Sequence, residues 1–360
     1  MTPIFCCGFE CGVESLAGHG DFIFSSPSFS TTTVRSGARS LRANPSASNI
    51  ARSTPTFTST LRLVGRFYIR FATLPNADCI FSSFGSSSTG PMVGFKQSDS
   101  SIYARVDSTL GSTGVAVTTG VWYRIDHDYL IVNGGNDTCD VKVEGVACGQ
   151  STATGLGSAQ IQAYLGVFTP ASTVTADVFF DDWVLSATAA DYPIGAGYVN
   201  HFVPTADGTH NIAGTGDFQR GNTAVDILNA TTTAWQLVDD VPLPSGAVDQ
   251  ADNWRAVAPA VPATDYVEGV FGPASGISVP TVAPRAVDAV CAYHQIATTV
   301  GSMRVALNDN GTVNDVLTIV GAAGVTTYRY AHKQYAAGPA GAWVIGGGGN
   351  GDFTDIRCRF

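Results

Sequence analysis

Apolar and polar residues alternate along much of this chain with a period of two, and nowhere do apolar positions sustain a 3.6-residue period. In LRLVGRFYIRF (61–71), Phe67, Ile69 and Phe71 fall on one face and Arg66, Tyr68 and Arg70 on the other, the pattern of a half-buried strand. VWYRIDHDYLIV (121–132) repeats it, and CDVKVEGVAC (139–148) reads as a tight hairpin turning at Glu144-Gly145. PIFCCGF, DFIF, DCIFSSFG, MVGFKQ, SIYARVD, QIQAYLGVF and DVFFDDWVLSA supply further short strands between turn-rich spacers. The Pro/Gly stretch DYPIGAG (191–197) divides the chain into domains 1–195 and 196–360. Beyond it, YVNHFVP, AWQLVDD, DYVEGVFG, RAVDAVCAYHQIA, SMRVALND, DVLTIVG and TTYRYAHKQY are strands, Asn310-Gly311 marks a hairpin, and a short helix is open within 246–254.

Composition sharpens this picture. Only 13% of residues are charged, about half of the usual roughly 25%. Lysine occurs only at Lys96, Lys142 and Lys333, and glutamate only at Glu10, Glu14, Glu144 and Glu268. These are residues of exposed helix faces, while Val, Thr and aromatics favour strands. The fold class is therefore all-β, as two β-sandwiches in tandem. The net charge of −10 repels phosphates and argues against nucleic acid as a partner. No run of 18 apolar residues points to a membrane span, and MTPIFCCGFE does not read as a secretory signal.

VRSGARSLR (34–42), TTGVWYRIDHDY (118–129), VKVEGV (141–146) and DVFFDDWVLSA (177–187) resemble, in that order, the laminin-G/concanavalin A-like jelly rolls of tailed-phage virion proteins. NHFVPTADGTHN (200–211), APRAVDAVCAYHQ (283–295) and RYAHKQY (329–335) are similar to the partner domain of those proteins. The resemblance implies a structural virion component, in a decoration, fibre or tail-associated role, that works by assembly and not as an enzyme. It would be put together in a host cytoplasm and exposed on the released particle. Its partners would be copies of itself and other virion proteins, or, on the alternative reading of a carbohydrate-binding adhesin, a host surface glycan. The chain ends at DIRCRF without a second closing strand like VFFDDWVLS, which predicts an open sheet edge in the second domain.

Candidate chemistry is sparse. Asp126 and Asp128 share a strand face, with carboxylates roughly 7 Å apart, inside the range of an inverting glycosidase. No E-x-D-x-E row accompanies them, and the plainer expectation is a solvated strand face. Trp122 shares that face, which makes it the tryptophan expected at the surface and, with Asp126 and Asp128, the candidate ligand contact. No cofactor is implied. One metal reading stays open: calcium held by Asp181 or Asp182 with Asp137 of the NGGND loop. The six histidines form no H-x3-H or H-E-x-x-H pair, there is no G-x-S-x-G, and GGGGNG (346–351) lacks the Lys-Ser/Thr of a phosphate loop.

Eight cysteines complete the inventory. Cys6 and Cys7 in a first strand point to opposite faces, and either, with Cys11, is open to packing or to a disulfide. Cys139 and Cys148 flank the hairpin one diagonal step apart, a register in which a bridge is open but not ideal. Cys291 and Cys358 would pair if their strands are neighbours.

Overall fold

A computed structural model describes residues 3–9, 15–16, 20–23, 28–45, 51–85, 89–168 and 174–199, and in the second half the segments 202–207, 218–220, 254–256, 268–273, 287–295, 302–309, 312–320, 325–335, 342 and 357–359. The chain forms two compact units, Met1–Asn200 and His201–Phe360.

The first unit begins with β1 (Pro3–Cys7), β2 (Ser15–Leu16), β3 (Gly20–Ile23), β4 (Ser28–Ser30), β5 (Ser40–Ala43), β6 (Ala51–Thr54) and β7 (Thr56–Thr60). It continues with β8 (Arg62–Thr73), β9 (Cys79–Phe84), β10 (Pro91–Lys96), β11 (Ser101–Val106), β12 (Thr109–Leu110) and β13 (Val115–Ala116). It closes with β14 (Trp122–Leu130), β15 (Asn136–Val143), β16 (Val146–Ala147), β17 (Ser151–Thr154), β18 (Gln160–Phe168) and β19 (Asp177–Ser186). Two antiparallel sheets result. Sheet I runs β16-β15-β14-β8-β19-β5-β4, with β1 on β19 and β17 on β15. Sheet II runs β12-β11-β10-β9-β18-β6-β3-β2, with β13 on β11 and β7 on β18. The four stretches that resemble jelly-roll motifs fall on or beside β5, β14, β15–β16 and β19, all of them in sheet I.

One core joins the two sheets. Phe67, Ile69 and Phe71 from β8, Ile125 and Tyr129 from β14, and Val141 and Val143 from β15 meet Phe81, Phe84, Phe95 and Leu165 from sheet II. The alternation read from β8 holds here. The Glu144-Gly145 turn has φ of 51° and 86°, both left-handed, as a two-residue hairpin with a type I′ turn demands.

The closing strand departs from simple alternation. Asp181 pairs with Tyr68 and Val184 with Arg66, so three steps on β19 match two on β8. The extra residue is a bulge, and Asp182 takes it up with φ 51°. The bulge changes which parity points inward. Phe180 and Trp183, three apart, both enter the core, where Trp183 packs edge-on to Phe5 at 5.0 Å. Asp181 and Asp182 were expected on opposite faces; the bulge leaves both off the core side, and both are buried.

The second unit contains β20 (Phe202–Asp207), β21 (Phe218–Arg220), β22 (Trp254–Ala256), β23 (Glu268–Pro273), β24 (Val287–Gln295), β25 (Ser302–Asp309), β26 (Thr312–Val320), β27 (Val325–Tyr335) and β28 (Arg357–Arg359). All its described pairings are antiparallel: a sheet β20-β23-β28-β25-β26 and the ladders β21–β22 and β24–β27. β25 and β26 pair down to Asp309↔Thr312, the two-residue spacing that Asn310-Gly311 predicts, although those two residues lie outside the described ones. The chain's last described residues do enter the sheet, whose outer strands are β20 and β26. The terminal residues 357–359 form the middle strand of the five-stranded sheet, hydrogen-bonded on both sides. AWQLVDD and most of 246–254 lie outside the described residues.

Inserting one residue after Asp182 would turn Trp183 and Leu185 away from the core, whereas deleting Asp182 takes out the extra residue and leaves Trp183 opposite Phe67, still facing inward. We expect the insertion variant to lose its cooperative thermal transition by near-UV circular dichroism. The deletion variant and Asp182→Asn should still unfold cooperatively, at lower temperature, because each loses the carboxylate that Arg35 binds. A wild-type transition in the insertion variant would refute the parity argument.

Candidate functional site

The outer face of sheet I carries the candidate residues, and strand register arranges it in rows. Trp122, Arg70, Phe179 and Arg42 form the first row, and Arg124, Tyr68 and Asp181 the second. Lys142, Asp126, Arg66 and Val184 form the third, then Asp140, Asp128, Val64 and Ser186. Leu130 and Arg62 follow at the far end.

The expectation of a solvated face around Asp126 and Asp128 is overturned. Asp126 is 0% exposed and Asp128 6%. Asp128 is gripped at both oxygens by Arg62, through Nε at 2.9 Å and through Nη2. Burial pushes the Asp128 carboxyl up, against the opposing pull of that guanidinium. Asp126 accepts from Arg124 Nε at 2.8 Å and from the Gly195 backbone N–H at 2.8 Å. Neither carboxylate is left to act on a glycosidic bond, since each is held by an arginine.

The cover over Asp126 is the segment 192–199, which the sequence marks as a domain boundary. It docks on the sheet through its backbone. Gly195 O accepts from Arg66 Nη1 at 3.4 Å, Gly197 N–H donates to Tyr68 Oη at 3.3 Å, and Gly197 O accepts from Arg35 Nη1 at 2.9 Å. Val199 N–H donates to Asp182 Oδ1. Ile194 seals the contact against Val64 and Val184, flanked by Cys6, Tyr192 and Val199. This docking explains why the first unit ends at Asn200, a few residues past the expected break.

Asp181 and Asp182 serve the same construction. Asp181 accepts the backbone N–H groups of Arg35 (2.9 Å), Ser36 (3.3 Å) and Asp182 (2.8 Å). Burial and the adjacent Asp182 carboxylate push its carboxyl well up, opposed by those N–H donors. Asp182 takes Arg35 Nη1 on one oxygen and Ser36 Oγ, at 2.8 Å, on the other. The Arg35 guanidinium also lies 3.3 Å from the Tyr68 ring centroid, a cation–π contact. Arg66 is buried with Nη2 on Asp182 O at 3.2 Å, and burial lowers its pKa despite the nearby Asp182.

The calcium reading is corrected in the same way. Asp137 accepts from Val132 N–H (2.9 Å) and Leu156 N–H (2.7 Å), stapling the start of the 133–136 loop to the connection between β17 and β18. It lies three strands from Asp181 across the sheet, roughly 14 Å, and about seven residues further along it. The three aspartates therefore cannot share an ion. Among the described residues, no cluster of His, Cys, Asp and Glu is placed to hold a metal.

The cysteines are placed as follows. Cys6 packs with the outer cluster of Val64 and Ile194 and Cys7 with the core, on opposite faces as expected. Cys148 N–H bonds Val141 O at 2.9 Å, which confirms the diagonal register, but Cys139 and Cys148 are buried free thiols and not a bridge. Burial pushes Cys148 up to about 12 and Cys139 higher, so neither is a ready nucleophile. Cys291 lies on β24 and Cys358 on β28, strands that do not pair with each other. Cys11 lies outside the described residues.

His127 faces inward from β14. It stacks on Tyr129 at 4.1 Å and lies over Gly65, where a Cβ would approach Nε2 to 2.2 Å. Neither ring nitrogen has a hydrogen-bond partner, and burial lowers its pKa from 6.5 to about 3.

Trp122 is half-buried in the first row, and none of the hydrogen bonds of the strap formed by 192–199 reaches that row. Sequence reasoning singled out Trp122, Asp126 and Asp128 but not Arg35, Arg62, Arg66, Arg124 or the strap. The signal for the arginines was present: Arg62, Arg66 and Arg70 recur every four residues on one face of a strand next to Asp-x-Asp.

No protein-family model and no curated protein matches the chain. Solved structures similar to it include the cellulose-induced protein Cip1, 16% identical over 51% of this chain and 97% of that one, with a TM-score of 0.39. An endo-β-1,4-glucuronan lyase from the fungus Trichoderma reesei is 12% identical over 54% and 100%, at 0.39. The receptor-binding domain of a botulinum neurotoxin C/D mosaic serotype is 9% identical over 54% and 50%, at 0.36. The first unit is itself a β-sandwich, two antiparallel sheets around one core. Likeness at these scores carries no argument, and nothing of what those proteins act on passes to this chain.

Two variants test the site. The unfolded state protonates its histidine near 6.5 while folded His127 stays neutral to about 3, so stability falls as pH drops through that window. His127→Leu removes this loss. Its stability relative to wild type, measured by urea unfolding, should rise by roughly 2–3 kcal/mol between pH 7 and 4.5. A pH-independent difference would refute the assignment. In Gly197→Ala the new Cβ would sit 2.4 Å from Arg66 Nη1. We expect a loss of roughly 1–3 kcal/mol and faster amide exchange at Gly195 and Val199. Unchanged exchange would show that the strap is not held there.

Proposed function

We propose that the chain is a structural component of a tailed-phage virion, a decoration, fibre or tail-associated protein that acts by assembly with copies of itself and with other virion proteins. The observation that carries a non-catalytic reading is the state of the carboxylates. Asp126, Asp128, Asp177, Asp181 and Asp182, five acids of the outer sheet face, are each bound by an arginine or by backbone N–H groups, and Asp140 in the fourth row accepts from Gln150 Nε2 at 2.8 Å. The stretches that resemble virion jelly rolls contribute most of these residues, so the resemblance and the network point the same way. Assembly contacts in the first unit would run through faces and loops. Its terminal strands β16, β4, β12 and β2 have only two or three residues each, a device against edge pairing. A second sandwich in the 201–360 unit belongs to the same proposal.

A second reading, a glycan-binding adhesin on the particle, is favoured by one observation: half-buried Trp122 lies beside Arg70 in a row that none of the strap's hydrogen bonds reaches.

Light scattering on the purified chain and immunogold labelling of lysis-released particles test the main reading. We expect a defined oligomer and labelled particles. A monomer at all concentrations, with unlabelled particles, would overturn it.

A further inference from the structure

We propose that the first row binds the carboxylate of an acidic sugar, with Arg70 as the carboxylate contact and Trp122 as the ring platform. This deepens the adhesin reading and rests on it.

The inference starts from a contrast among arginines. Arg35, Arg42, Arg62 and Arg124 each hold an aspartate, at Asp182, Asp177, Asp128 and Asp126. Arg66 is buried among backbone carbonyls. Arg70 differs: its Nε donates to Gly120 O at 3.1 Å, and among the described residues no carboxylate pairs with it. That single bond anchors the base of the guanidinium and leaves the Nη edge for a ligand. Guanidinium is a planar fork that matches a carboxylate at two points and is weakly hydrated, so it retains affinity in water better than lysine.

What flanks Arg70 selects a ring-bearing anion over a small one. Its cross-strand neighbours are Trp122 and Phe179, each one strand spacing away, about 5 Å. Phe179 is buried under the Arg42 guanidinium, 5.6 Å from its ring centroid, and Arg42 is itself tied to Asp177 by two bonds of 2.8 Å. That leaves Trp122 as the aromatic surface beside Arg70. An apolar sugar face set on the indole, with its carboxylate on the neighbouring arginine, satisfies both groups together. The acidic surface of the chain opposes such a ligand at long range, but charges beyond about 8 Å are screened at physiological salt.

The test uses the full chain on a panel of uronate- and sialate-containing oligosaccharides, each paired with its carboxyl-reduced neutral counterpart, and the variants Arg70→Gln and Trp122→Ala checked for wild-type unfolding. We expect binding to an acidic member that weakens about tenfold or more on carboxyl reduction and to a similar degree in Arg70→Gln, with Trp122→Ala also weak. Binding indifferent to carboxyl reduction and to Arg70→Gln, yet lost in Trp122→Ala, would overturn the acidic-sugar assignment and leave the adhesin reading standing. No binding to any acidic or neutral member would overturn both.

Discussion

A carboxylate shut away from water costs several kcal/mol unless other donors replace the water it loses, and in this protein two such groups are adjacent. Asp181 replaces its water with three backbone N–H groups, and Asp182 with Arg35, Ser36 and Val199. The donors come from the loop before β5, 146 residues before Asp181 in the chain, and from the closing strand and the strap that follows it. None can leave without stranding a buried charge. The same pair occupies the bulge that sets the parity of β19. Core packing of Trp183, docking of the strap and the path of the Arg35 loop are therefore one arrangement.

Period-two patterning made much of the first unit readable. It separated Phe67, Ile69 and Phe71 from Arg66, Tyr68 and Arg70, and it found the Glu144-Gly145 hairpin with its diagonal cysteines. It failed where outward was equated with wet. Alternation reports which side of a sheet a residue occupies and cannot report what lies over that side. The cover here is 192–199, whose proline and two glycines look like a flexible boundary. Gly197 instead gives room for a close approach, since a side chain there would collide with Arg66. Alternation also fails at a bulge, because one extra residue turns an expected opposite-facing pair into the buried Asp181–Asp182 pair. Nothing in the letters DD distinguishes the two cases; only the need to bring Phe180 and Trp183 inward together does.

The candidate residues divide along the same line. Asp126 and Asp128 looked like chemistry because they are acidic, close together and on one face. Their arginines sit on the neighbouring strand, Arg62 on β8, or two residues along the same strand, Arg124 on β14, and both pairings follow once the register is known. Groups whose charge is already met within the sheet hold the fold and are poorly suited to ligand chemistry. Trp122 escapes this fate: the strap's hydrogen bonds fall on Asp126, Arg66, Tyr68, Arg35 and Asp182, none of them in its row.

Register also accounts for Arg70. The closing strand brings Asp177 to Arg42 and, past the bulge, directs Asp181 and Asp182 to the Arg35 loop. The positions beside Arg70 in the row are then Phe179 on one strand and Trp122 on the other, both aromatic. An arginine in that position has no acid to turn to within its own row. Its charge faces outward beside an indole as a consequence of how the buried aspartates are held, so the element that stabilises the sheet also determines where its surface can meet something else.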